Sequence, residues 1–294
     1  MRFIKRSLSA CLCVALCCLP CVSIFAQEAP HLDYDTLWTN DREPFRIAGN
    51  LYYVGTFDLA CYLSTTPKGH ILINTGVPGS DTMIRQHIEA LGFKFTDIRI
   101  LLATHAHIDH VGDMAAIKKT TGARLMIEEE DVPVLADGGL SDFALGGKNS
   151  PFLFPPVKVD RVLHDKDIVK LGGMEIEVLH HPGHTKGACS FLFTVKDEKR
   201  SYRVLIANMP SIISETKLPS MPTYPGVGKD YGYTLSVMPK LQFDIWLSSH
   251  ASQFDLDSKR RPGAPYNPEA FFDRAGYDSS IKTLHEKYLK KMQP

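Results

Sequence analysis

The stretch LLATHAHIDHVGDM, Leu101–Met114, constrains this chain more than any other, because it sets three histidines and an aspartate within six residues directly after an apolar run. An apolar run of that length reads as a buried strand, and its polar end as the place where the strand leaves the core. Side chains alternate along an extended segment, so His105, His107 and Asp109 are expected to project to one side. His110 follows where the chain turns toward the next helix and enters from another direction. Imidazole is mostly neutral at pH 7 and is the commonest protein ligand for zinc, and carboxylate oxygen is accepted as well. Four such groups exceed what one tetrahedral ion needs once distant ligands are added. The pattern suits two metal ions side by side.

Two further histidine groups stand at strand ends. LHHPGHTKGA carries His180, His181 and His184, and IWLSSHASQF carries His250. His184 lies in a Pro-Gly turn, where the backbone pushes a side chain outward, and His250 closes an apolar strand. Alone, each is an ordinary polar residue at a strand end; together with the first motif they complete a ligand set. His180 and His181 are left with structural roles around a site already full. His31, His70, His87, His164 and His285 have no motif around them.

The rest of the chain alternates strands and helices. PFRIAGNLYYVG, ACYLSTT and HILINTG read as strands, followed by a helix TMIRQHIEALG capped by Ser80 or Asp81. Strand IRILLAT, helix DMAAIKKTTG and strand ARLMIEE come next, then a Gly/Pro/Ser-rich connection from Gly138 to Pro156. MEIEVLHH, CSFLFTV, YRVLIAN and FDIWLSS read as later strands. Helices NPEAFFDRA, with Asn267 as cap and Pro268 first, and SSIKTLHEKYLKKM close the chain. Such interleaving favours a layered α/β domain.

Residues 1–26 carry the pattern of a secretory signal: a basic MRFIKR, then an apolar stretch ending at Ala26, with the domain proper over residues 27–294. An uncleaved membrane anchor is the alternative; LSAC, Leu8–Cys11, lies too early in the apolar stretch to be a lipoprotein box. Five of the seven cysteines fall in this leader, leaving Cys61 and Cys189 in strand-like runs, as two buried thiols or as one disulfide. The 33 basic and 33 acidic residues balance, and no run of Lys or Arg marks a nucleic-acid surface. Removing Arg2, Lys5 and Arg6 with the leader leaves 30 basic against 33 acidic residues, a net charge of −3. The 44% hydrophobic content can build a sizeable core. No long heptad or exposed apolar stripe points to an oligomer.

THAHIDH, PGHTKGA and the late SSH resemble the metallo-β-lactamase superfamily over nearly the whole chain past the leader, and the order of ligands resembles the third subclass of class B. That resemblance implies a four-layer αββα sandwich with two Zn2+ ions at one edge. His105, His107 and His184 would hold the first ion, and Asp109, His110 and His250 the second. It implies a periplasmic enzyme that hydrolyses the amide of a small-molecule β-lactam through a metal-bound hydroxide and confers β-lactam resistance. Asp109 doubles as the catalytic residue that orients the nucleophile. Asn208 and Met209 end YRVLIANMPS where many relatives place a metal-bridging Asp and other β-lactamases a Cys. Neither is a good zinc ligand, which fits the third subclass. The Met, with ASQFDLDSKR downstream, resembles GOB-type members in particular. Those have Gln where this chain has His105, so the departure restores a three-His site. Asn74 in ILINTG replaces an Asp of many relatives, which argues against a supporting role there. Ser211 is a candidate for binding the substrate carboxylate, with Lys186 and Tyr231 behind it.

One other reading fails and two stay open. SETK, Ser214–Lys217, satisfies S-x-x-K of serine β-lactamases, but no S-D-N or K-T-G follows it. A lactonase, thioesterase or esterase of the same fold is weakened by the missing bridging acid. A non-catalytic zinc-binding module would use the same ligands without turnover.

Overall fold

The computed structural model describes residues 34–218 and 220–293. The leader expected over residues 1–26, and His31, lie outside the described residues.

Twelve strands among the described residues form two sheets. The first contains β1 (Phe45–Ala48), β2 (Leu51–Tyr53), β3 (Tyr62–Thr66), β4 (Gly69–Ile73), β5 (Ile98–Leu102), β6 (Arg124–Glu128) and β7 (Arg161–Leu163) in sequential order. Pairing is antiparallel from β1 to β4 and parallel from β4 to β7. The second sheet joins β8 (Ile168–Leu171), β9 (Met174–His180), β10 (Cys189–Lys196), β11 (Ser201–Ala207) and β12 (Ile245–Ser248). Its pairs are antiparallel except β11 with β12.

Strand alternation explains the layers. Ile71, Ile73, Ile100, Leu102 and Met126 pack in one core with residues of the second sheet such as Ile176, Val178 and Phe191. Leu72, Leu101, Leu125 and Ile127 point the other way, onto Ile84 and Ile88 of helix Asp81–Ala90 and Ile117 of helix Met114–Thr121. Helices Val227–Val237 and Arg274–Lys291 cover the second sheet through Leu235, Tyr277 and Ile281. The order helix, sheet, sheet, helix is the αββα sandwich that the family resemblance implies.

Several local expectations change. Ser80 makes no side-chain cap bond; instead the Asp113 carboxylate accepts from Asp81 N–H at 2.6 Å. Asn267 does not cap either: Pro268–Phe271 is a short 3-10 turn, and the last helix starts at Arg274 under an Asp273 cap. Strands β7 and β8 and helix Val227–Val237 carried too weak a pattern to be read in advance. Gly228 and Gly232 dilute that helix. Cys61 and Cys189 are both buried free thiols, and burial raises both thiol pKa values, which leaves them unreactive. No helix among the described residues is long and apolar enough to cross a membrane.

Trp246, fully enclosed on β12 with its ring 5.4 Å from Tyr277, joins the second sheet to its covering helix. Trp246→Ala is expected to cost about 3–5 kcal/mol of stability in denaturant unfolding; a loss under about 1 kcal/mol would show that Trp246 does not hold the covering helix to the second sheet.

Candidate metal centre

The sheets bring their strand ends to one edge, and the histidine loops leave from it. β5 ends at Leu102, residues 103–107 run irregularly, and Ile108–Val111 forms one helical turn. Asp109 therefore stands on a helical turn beside His110 rather than in an extended run with His105 and His107. The turn still delivers it to the same place. The loop after β4 supports this segment: Thr75 N–H donates to His110 O at 2.8 Å, and Gly112 N–H donates to Gly76 O at 2.9 Å. A Cβ on Gly112 would come within 2.4 Å of Pro78 Cδ, so only glycine permits that approach. His184 follows β9 through Gly183, whose φ of 132° and a would-be Cβ 2.8 Å from the Tyr231 ring demand glycine. His250 follows β12 and pairs by an isolated bridge with Leu59.

All six sequence-derived residues converge. Ring centroids of His105, His107 and His184 stand 4.5–4.8 Å apart, and one nitrogen from each falls within 4.8 Å of the others. A second group of the same tightness joins His105, Asp109 and His110. Asp109 Oδ2 lies 3.1 Å from His110 Nε2 and 3.3 Å from His250 Nε2, and the His110 and His250 rings are 5.0 Å apart. His105 thus sits between the two groups, and His250 closes the second through Asp109. Among the described residues, eleven buried side-chain polar atoms lack a hydrogen-bond partner. Five of them gather here: His105 Nε2, His107 Nε2, both His110 nitrogens and Asp142 Oδ2. His107 Nε2 and Asp142 Oδ2 face each other across 3.3 Å, and the remaining three, on His105 and His110, fit a metal.

Partners behind the rings fix which nitrogen faces inward. His184 Nδ1 donates to Ser211 O at 2.8 Å, and His250 Nδ1 to Asp58 Oδ2 at 2.9 Å, which leaves Nε2 as the inward nitrogen of each ring. Tyr231 O–H donates to the same Ser211 carbonyl at 2.9 Å. Burial, reinforced by the neighbouring histidines, holds the His105 pKa well below 6.5 and His184 at about 3. Burial lowers the His110 pKa too, against the pull of Asp109, so all three are neutral and ready to bind at pH 7. Burial opposes ionisation of Asp109, but His110 and His250 outweigh it and keep the carboxyl ionised.

Asp131 is the centrepiece that sequence reading missed. Wholly buried, its carboxylate accepts from Ala106 N–H at 2.8 Å, Thr185 O–H at 2.8 Å and Gly187 N–H at 2.9 Å. One side chain thereby ties the first histidine loop to the second, although burial raises its pKa to about 6. Asn74, expected to be idle, is buried at φ 63° and accepts from Thr104 N–H at 3.0 Å, next to His105. Asp58 and Asp142 were missed as well. His180 and His181 keep the structural roles expected: His180 Nδ1 meets Glu128 Oε1 at 2.8 Å, and His181 Nδ1 meets Ser190 Oγ at 2.7 Å. Ser211 lines a groove of about 310 Å³ with Met209, Ser252, Gln253 and the C-terminal helix. Lys186 lies over the Tyr224 ring, and Tyr231 is buried.

Residues 54–197 match the family described as the metallo-beta-lactamase superfamily. A beta-lactamase from Chitinophaga pinensis shares 59% identity at a TM-score of 0.88, over 90% of this chain and 99% of that one. The class B3 di-zinc metallo-beta-lactamase LRA-12 from an Alaskan soil metagenome shares 56% at 0.86, over 90% and 99%. The metallo-beta-lactamase GOB-18 from Elizabethkingia meningoseptica shares 51% at 0.87, over 90% and 97%. Among curated relatives, a hydroxyacylglutathione hydrolase of Bradyrhizobium sp. is 32% identical over 132 residues, 45% of this chain. The chain spans 42% of that relative's length.

Burial works against a charge on His250, but hydrogen bonds to Asp109 and Asp58 outweigh it and push its pKa up to about 9. A raised folded-state pKa stabilises fully below the unfolded value near 6.5, and that stabilisation is lost as pH rises through 9. Chelator-stripped protein is therefore expected to lose Tm between pH 6.5 and 9, with a smaller loss in His250→Gln. Equal pH dependence in the two proteins would contradict the Asp58–His250–Asp109 chain.

Proposed function

The chain belongs to the metallo-beta-lactamase superfamily, and from that premise we propose that it is a zinc-dependent β-lactamase of the class B3 type. The observation that carries this reading is the convergence of five imidazoles and one carboxylate on one edge, where enclosed nitrogens of His105 and His110 have no hydrogen-bond partner. His105, His107 and His184 would hold one Zn2+, and Asp109, His110 and His250 a second. Bound there, zinc supplies a Lewis acid that brings the pKa of water close to 7 and polarises a carbonyl.

The protein's own groups do the rest. Asp58 and the Ser211 carbonyl pin His250 and His184 by their Nδ1 protons, so neither ring turns during turnover. Asp109, kept ionised between His110 and His250, offers a carboxylate oxygen that orients the attacking water toward the β-lactam carbonyl. Ser211 lines a groove beside the ligand loops, with its Oγ 3.3 Å from His184 Nδ1, and would donate a hydrogen bond to the substrate carboxylate. No serine nucleophile or covalent intermediate is required.

The relatives described as hydroxyacylglutathione hydrolases favour a second reading, a thioesterase of the same fold. Against it stands the end of β11, where Asn208 and Met209 are buried and neither offers a bridging carboxylate. Export to the periplasm belongs to the same proposal and rests on the basic and apolar leader; amino-terminal sequencing of the secreted protein tests it.

The purified protein should hydrolyse nitrocefin, lose that activity on exposure to a chelator and regain it with zinc. His184→Ala should lose more than about 100-fold, since losing a ligand exceeds the cost of losing a residue behind one. Chelator-insensitive turnover, or hydrolysis of a glutathione thioester with no action on nitrocefin, would sink the β-lactamase reading.

A further inference from the structure

The connection between helix Val132–Asp137 and β7 reads in the sequence as a plain Gly/Pro/Ser-rich linker, yet it sends one carboxylate to the metal centre. Asp142 Oδ1 accepts from Ala144 N–H at 2.9 Å and Leu145 N–H at 2.6 Å, an arrangement that folds the loop around this side chain. Its other oxygen, Oδ2, lies 3.3 Å from His107 Nε2, with the Asp142 side chain only 4% exposed and the His107 side chain 6%. Both of these atoms are enclosed and without a well-aligned partner, and each faces the other across that gap. The next residue, Phe143, stacks edge-on to Tyr224 at 4.9 Å and joins Val227 and Tyr231 in a small separate core. Thr223 O–H donates to Phe143 O at 2.8 Å, and Tyr231 donates to the carbonyl that pins His184. The loop is therefore held on two sides: around Phe143 by the small core, and at His107 by a carboxylate.

We propose that Asp142 is a positioning residue that couples closure of the 138–156 loop to retention of the metal held by His105, His107 and His184. A proton on His107 Nε2 donated to Asp142 Oδ2 leaves Nδ1 as the nitrogen with a free lone pair, so the loop sets the ring's tautomer and its orientation together. The coupling is reciprocal: a metal that fixes the ring also fixes the loop's polar anchor, and a loop that opens releases the ring. The inference rests on the zinc reading of the site and extends it to a segment that supplies no ligand.

The test uses full-length Asp142→Asn, Asp142→Glu and wild-type protein, each stripped by chelator and titrated with zinc against a competing chelator. Hydrogen exchange over residues 143–150 is followed in parallel. Wild type is expected to show slower exchange in this loop when zinc binds. Asp142→Asn should bind one zinc about 10–100-fold more weakly and lose the zinc-dependent protection, with Asp142→Glu recovering part of both. Stripped D142N should unfold slightly below stripped wild type, because Asp142 also holds the loop without metal, but by too little to account for the lost zinc affinity. Unchanged zinc affinity in D142N, or a loss matched by lower stability of its stripped form, overturns the proposal. Wild type that binds no zinc overturns the functional reading along with this one; an unaltered D142N beside zinc-binding wild type overturns this one alone.

Discussion

An imidazole nitrogen enclosed by protein and left without a hydrogen bond costs about 1–3 kcal/mol, and His105 and His110 bring three such nitrogens to one sheet edge. Folding tolerates that concentration because the surrounding structure leaves the rings nowhere else to go. His110 is held by a turn whose backbone is bonded to the loop after β4, His105 by the bond from Thr104 N–H to Asn74, and His184 by a glycine packed against Tyr231. The four-layer sandwich supplies the rigidity, with strands on two sheets ending at a common rim. A polar cost at the rim is the structural signature of a site meant to be filled.

Carboxylates behind the histidines decide how the cost is distributed. Asp58 and Asp142 each face the outer nitrogen of one ring, whereas Asp131 touches no ring and joins two loops by three donors. Those roles differ electrostatically. Asp58 is brought down to about 2: burial opposes its charge, and hydrogen bonds from His250 and Ser252 overcome that opposition. Asp131 is pushed up to about 6, because burial exceeds what its three donors return. A carboxylate next to a cationic ring is favourable, and one enclosed among neutral donors is a cost accepted for geometry.

Legibility in the sequence followed locality. The motif from His105 to His110 is contiguous, and apolar runs such as IRILLAT and CSFLFTV have strong period, so ligands and central strands were readable. His184 and His250 were readable because each ends such a run. Asp58, Asp131 and Asp142 are single acids whose partners lie 192, 25 to 56, and 35 positions away, a relation no local pattern encodes. Asn74 was misjudged because its value lies in a left-handed backbone and an amide oxygen, both invisible in composition. Asp109 reached its place by a helical turn, since Ile108 and Val111 are drawn into the core on that side. The weak strands β7 and β8 are three and four residues long, too short for a period to emerge.

Calorimetric titration of zinc into the stripped protein addresses the central claim most directly. The account predicts two ions bound per chain, with net proton release at pH 7.5 as the metal displaces the proton that His250 holds between Asp109 and Asp58. A single weak site, or binding without proton release, would contradict it.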